Sequence, residues 1–92
     1  MYIIFDKNTI INMDNVYSVE LGRNEEDTNI YFYSGWDHAT VKHSSREQAE
    51  RNFEQIFTVL EYDASIYKVY LNTENEANCG ALMRNEETYD GT

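Results

Sequence analysis

Residues 44–60, SSREQAERNFEQIFTVL, are where the hydrophobic period of the chain changes from two to about 3.6. Ala49, Phe53, Ile56, Phe57 and Leu60 fall on one face at helical spacing, and Gln48, Glu50, Arg51 and Glu54 take the rest. Ser44-Ser45-Arg46-Glu47 fits a capping box, in which a serine hydroxyl accepts from first-turn amides and Glu47 reaches back. The pattern predicts an amphipathic helix over residues 45–62 that covers one face of a sheet. On that reading Phe53 is core, and Phe53→Ala costs ~3–5 kcal/mol.

Upstream of Ser44 the reading is all strand and turn. Tyr2 to Phe5 is an apolar run closed by Asp6-Lys7-Asn8, a tight turn into Thr9-Ile10-Ile11. Asp14-Asn15 punctuates the chain again. Val16 to Leu21 alternates, with Tyr17, Val19 and Leu21 on one face and Ser18 and Glu20 on the other. Asn29 to Ser34 is aromatic and β-branched, Ser34-Gly35 marks a turn, and Ala39 to Lys42 is a weaker strand. These spacings predict an antiparallel β-meander of about five strands over residues 1–44. Downstream, Ile66 to Leu71 reads as one more strand, with Tyr67, Val69 and Leu71 sharing a face. Thr73 to Glu87 reads as a weak helix, since Thr73 and Glu76 match a second capping box while Gly80 costs ~1 kcal/mol relative to Ala. Residues 88–92 read as a mobile tail. The expected fold class is α+β, a meander packed by one amphipathic helix, with an extra strand and short helix behind it, in one small domain over residues 1–92.

Composition narrows the function classes. The chain has 17 Asp and Glu against 7 Lys and Arg, a formal net charge of −10 in 92 residues. The residues before Ser45 carry net −4, residues 45–60 net −1 and the remainder net −5 by count along the sequence. That charge exceeds the magnitude of roughly 2–8 that solubility asks of a small domain. Such a surface attracts basic surfaces and is repelled by nucleic acid and anionic membrane. Eight Tyr, four Phe and one Trp argue for a folded chain and suit half-buried strand positions or a binding face. Cys79 is the single cysteine, so no internal disulfide forms. No apolar run approaches a signal-peptide core or a membrane span, and the expected location is the cytoplasm of a bacterial host cell.

No spacing here serves catalysis. His38 and His43 are five apart, on opposite faces of a strand, with no His or Cys at ligand spacing, so neither a metal nor a cofactor is expected. Ser44 and Ser45 beside His43 are explained by helix capping, because a triad is a matter of spatial geometry. Cys79 lies in an acidic stretch, which suppresses its thiolate. Asn72 to Glu76 offers oxygens without the glycine a calcium loop needs. Neither a glycine-rich phosphate loop nor a basic stripe is present. The expected class is therefore non-enzymatic.

The stretch Ile10-Ile11-Asn12-Met13-Asp14-Asn15-Val16-Tyr17-Ser18-Val19-Glu20, then Ile30 to Gly35 and the Ser45/Glu47/Ala49 helix start, gives residues 1–60 a recognisable style. The chain resembles small acidic proteins of bacteriophages and mobile elements, and among them anti-CRISPR inhibitors, several of which mimic nucleic acid. The likeness is one of composition and style and carries no residue over as functional. It implies a phage-encoded inhibitor whose carboxylates occupy the cationic groove of a nucleic-acid-handling defence protein such as a CRISPR effector. From charge and exposure the expected partner-binding residues are Glu25, Glu26, Asp27, Glu74, Glu76, Glu86, Glu87 and Asp90, with Trp36 and Tyr89 as aromatic anchors. The alternative is a structural or assembly module that homodimerises through a sheet edge or tyrosine-rich face.

Overall fold

The computed structural model describes residues 1–62, 65–74 and 81–84. It shows an α+β fold of two sheets sharing one core with one helix. β1 (Tyr2–Phe5) and β2 (Thr9–Asn12) form a hairpin, and β3 (Ser18–Leu21), β4 (Asn29–Ser34) and β5 (Asp37–Lys42) form an antiparallel meander. The helix α1 (Arg46–Tyr62) follows, then β6 (Ile66–Leu71) and β7 (Ala81–Arg84). One sheet has the order β2-β1-β6-β7 and the other β3-β4-β5.

All the expected strands before Ser44 are present, but they do not form one meander. A 3-10 turn at Met13–Asn15, capped by the Asn12 side chain accepting from the Asp14 amide at 3.0 Å, separates β2 from β3. β1 takes β6 as its second neighbour, in parallel, pairing Ile3 with Val69 and Phe5 with Leu71. The cause is legible in β1 itself. Four consecutive apolar side chains suit a strand flanked on both sides better than a half-solvated edge. The hairpin is closed by Asp6 and Lys7, both at positive φ (56° and 62°), with the Asn8 amide donating to Phe5 O at 3.0 Å. With Phe5 opposite Thr9 the connection is three residues long, and its two left-handed positions are held here without glycine.

Two expectations downstream are corrected. Residues 81–84, assigned to a weak helix, form β7 antiparallel to β6, with Val69 opposite Leu82. An open ladder edge on β6 outweighs a helix whose apolar stripe is thin and which carries Gly80. The Thr73 hydroxyl donates to Asp6 Oδ2 at 2.6 Å and its amide to Asp6 Oδ1 at 2.8 Å, and the rest of the expected helix, 75–80 and 85–87, lies outside the described residues. Within β6 the register shifts between Ile66 and Lys68, so Ile66, Val69 and Leu71 are the buried residues and Tyr67 is only half-buried. A bulge of this kind resets the alternation that a strict period of two assumes. The tail assigned to residues 88–92 lies outside the described residues.

Ile3, Phe5, Ile11, Ile66, Val69 and Leu71 from the first sheet meet Ile30, Phe32 and Val41 from the second, with Ile56 and Val59 from α1. Phe5 and Phe32 touch edge to face across the sheets, 5.9 Å between centroids. The helix is rotated from the expected orientation. Gln48, Ala49, Asn52, Ile56 and Val59 are buried, Phe53 is half-buried, and Phe57 and Leu60 stand 55% and 53% exposed. Two amides inside the core have a specific cause. Gln48 Nε2 and Asn52 Nδ2 donate to the Asn72 carbonyl, at 3.0 and 2.8 Å, and so hold the end of β6 against α1. Phe53 is therefore not the central core residue, and the cost of Phe53→Ala falls below the range expected for a fully buried ring.

Candidate binding surfaces at the two ends of the fold

One end of the molecule is assembled by hydrogen bonds between segments distant in sequence. The Asp6 carboxylate holds Thr73, the Ser44 amide donates to Thr73 O at 2.8 Å, and the His43 amide donates to Thr28 O at 3.0 Å. These bonds gather the β1–β2 turn, the β3–β4 loop, the start of α1 and the end of β6. Arg46 fixes the loop. Its Nη1 donates to the carbonyls of Gly22, Asn24 and Asp27 at 2.8, 2.9 and 3.0 Å, while Nε donates to Glu50 Oε2 at 2.9 Å. Gly22 has no room for a side chain, because an added Cβ would lie 2.6 Å from Asp27 O.

The helix cap sits one residue later than expected. Ser45 Oγ accepts from the Gln48 amide at 3.1 Å, and Glu47, assigned to reach back, pairs instead with Arg51 at 3.7 Å. Gln48 stands where the box wants its acceptor, and its own amide is turned to Asn72.

Glu25, Glu26 and Glu74 all lie at this end and are exposed. Asp27 is beside them but is a structural residue. Its carboxylate accepts from the Asn29 amide at 3.1 Å and from the Tyr31 hydroxyl at 2.9 Å. The Asn29 amide above all lowers the Asp27 carboxyl pKa from its ordinary value; desolvation opposes it, and the Tyr31 hydroxyl, the Asn29 side chain and the Arg46 charge lower it further. Among the described residues neither Glu25, Glu26 nor Glu74 forms an ion pair, and Lys7, Arg23 and Lys42 pair with none of them. Trp36 is 97% exposed at the β4–β5 turn, the opposite end of the six-residue β4 and so ~20 Å away. The expected binding residues therefore do not form one site. Glu76, Glu86, Glu87, Tyr89 and Asp90, like Cys79, lie outside the described residues.

Several features went unread in the sequence. His43 is 2% exposed, its ring edge-on to Phe5 at 5.8 Å, with Nδ1 3.1 Å from Val41 O and Nε2 without a hydrogen-bond partner among the described residues. Desolvation lowers its pKa from the ordinary histidine value, against smaller raising effects of hydrogen bonds to Val41 and Thr28 and of the Asp6 charge. His38 is exposed on the outer face, against Tyr33 at 5.6 Å, and Tyr33 stacks in turn on Tyr31. Along α1 runs a groove of about 240 Å³, floored by Val16, Val19, Phe53 and Ile56. Tyr17, Phe57 and Leu60 form its exposed rim. The apolar residues Phe57 and Leu60 had been placed in the core by spacing alone. The only available signal was the presence of six apolar positions, Val59 included, on a helix that a small sheet cannot cover.

Among the described residues no three His, Cys, Asp or Glu side chains converge as metal ligands, and no helix is long and apolar enough to cross a membrane. Compared with protein families, with curated proteins and with solved structures, the chain matches none.

Proposed function

We propose that the protein is a non-enzymatic binding protein whose anionic end engages the cationic groove of a nucleic-acid-handling protein. A CRISPR effector is the partner class, and occupation of its groove by carboxylates in place of phosphates is the mode of inhibition. The observation that carries this reading is the gathering of Glu25, Glu26 and Glu74 at one end without a paired cation. Arg46, which holds the loop carrying Glu25 and Glu26, is committed to three loop carbonyls and to Glu50, and Lys7, Arg23 and Lys42 form no ion pair with the three glutamates. Twelve acidic against six basic side chains in residues 1–62 and 65–74 add a long-range attraction to the same kind of partner.

Immobilised protein should capture a guide-loaded effector at low ionic strength and release it as salt rises, because exposed charges are screened within ~8–10 Å at physiological salt. Replacing Glu25, Glu26 and Glu74 together by Gln should weaken capture at least tenfold and flatten its salt dependence. No capture at low salt, or equal capture by the triple variant, would overturn the proposal.

A further inference from the structure

Among the described residues β3 is the outer strand of its sheet. In the β3–β4 ladder Ser18 faces Tyr33 and Glu20 faces Tyr31, and the pattern continues to Gly22, whose amide donates to Asn29 O at 3.0 Å. In an antiparallel pair, hydrogen-bonded and non-bonded positions alternate. Ser18, Glu20 and Gly22 thus bond to β4, and the peptide groups of Val19 and Leu21 point to the other edge. Among the described residues no strand lies there.

What does lie there is the overhang of α1. The groove beside Ser18 and Val19 is walled by Phe53, Phe57 and Leu60, and its continuation beside Leu21 is walled by Phe53, Phe57 and Glu54. The helix reaches past β3, and its surplus apolar side chains Phe57 and Leu60 hang over a place where no fourth strand lies among the described residues. An exposed apolar surface of this shape next to unpaired backbone groups is the arrangement that strand addition uses.

Charge selects the occupant. In the outer half of the groove Glu47 pairs with Arg51 and Glu50 with Arg46, Glu54 forms no ion pair among the described residues, and Glu20 faces solvent on the exposed side of β3. A second copy, added in register, would bring the same carboxylates face to face, and like charges directly opposite are destabilising. We propose that the β3 edge accepts an extended segment of a partner protein, about four to six residues long, alternating apolar and basic. Its peptide groups pair with Val19 and Leu21, its apolar side chains enter under Phe53, Phe57 and Leu60, and its Lys or Arg side chains, on the opposite face, meet Glu20. The proposal does not depend on the anionic end, and the two readings fail separately: peptide docking can persist when effector capture is absent.

The test uses the full chain and short synthetic peptides: an alternating Val–Lys peptide, the same peptide N-methylated on its pairing amides, and a Val–Glu counterpart. In the free protein the Val19 and Leu21 amides should exchange quickly with solvent. The Val–Lys peptide should shift and protect those two amides, and Phe57→Ser with Leu60→Ser should weaken it at least tenfold while leaving the unfolding transition cooperative. Equal binding by the N-methylated or Val–Glu peptide would overturn the proposal, as would shifts confined to Glu25, Glu26 and Glu74. A free protein already dimeric by sedimentation, with Val19 and Leu21 protected, would overturn it in favour of a second copy.

Discussion

His43 follows the last strand of the meander and points inward, where Phe5 meets its ring edge-on and Val41 O takes one nitrogen. Burial favours the neutral ring, so the folded-state pKa lies below that of the unfolded chain. The folded protein therefore binds fewer protons. Stability from this group is complete above the unfolded value of 6.5 and declines as pH falls below it, until the folded pKa is passed. Between pH 7.5 and 5 the wild type should lose more stability than His43→Gln, read from urea midpoints at both pH values. Equal pH dependence of the two proteins would contradict this. The sequence showed that His43 and His38 take opposite faces. Which one is buried depends on Phe5 and Thr28, which are remote in the chain, and no local pattern states it. Gln48 and Asn52 were unreadable for the same reason, since a polar side chain on a helix looks solvated until the Asn72 carbonyl arrives from 20 residues or more away.

At the level of elements, helix α1 was legible in its period and its serine cap, with boundaries within a residue of those observed. Its rotation was not, because Ala49, Ile56 and Val59 compete with Phe53, Phe57 and Leu60 for the inward face. Sheet size, which fixes how many of them can be covered, is a tertiary property. The β3–β4 loop depends on this helix through Arg46, whose single Nη1 serves three carbonyls. Arg46→Ala should cost about 1.5–3 kcal/mol, the range for hydrogen bonds to a charged group. It should also speed amide exchange over residues 22–28. A midpoint within ~0.5 kcal/mol of wild type would show that the loop holds itself. β7 illustrates the converse limit: local propensity at residues 81–84 was weak in either state, and the free edge of β6 decided it.

Across the whole molecule, strand existence was readable from turn residues and alternation, whereas partner choice was not. The sheet β2-β1-β6-β7 joins residue 2 to residue 68, and only the unbroken apolar character of Tyr2–Phe5 hinted that β1 needed a neighbour on each side. A fragment ending at residue 62 retains the meander and helix but loses Ile66, Val69 and Leu71 from the core. It also exposes the Gln48 and Asn52 amides. Circular dichroism of that fragment should show no cooperative thermal transition. A sharp transition would mean that the second sheet and α1 form an independent unit.

The parallel pairing of β1 with β6 also sets an order of events during synthesis. β1 leaves the ribosome about 60 residues ahead of its partner, a delay of roughly 3–12 s at ordinary elongation rates. For that interval a run of Tyr, Ile, Ile and Phe has only its hairpin mate for company. The bonds from Thr73 to the Asp6 carboxylate, which join the ends of the two strands, can form only after that interval.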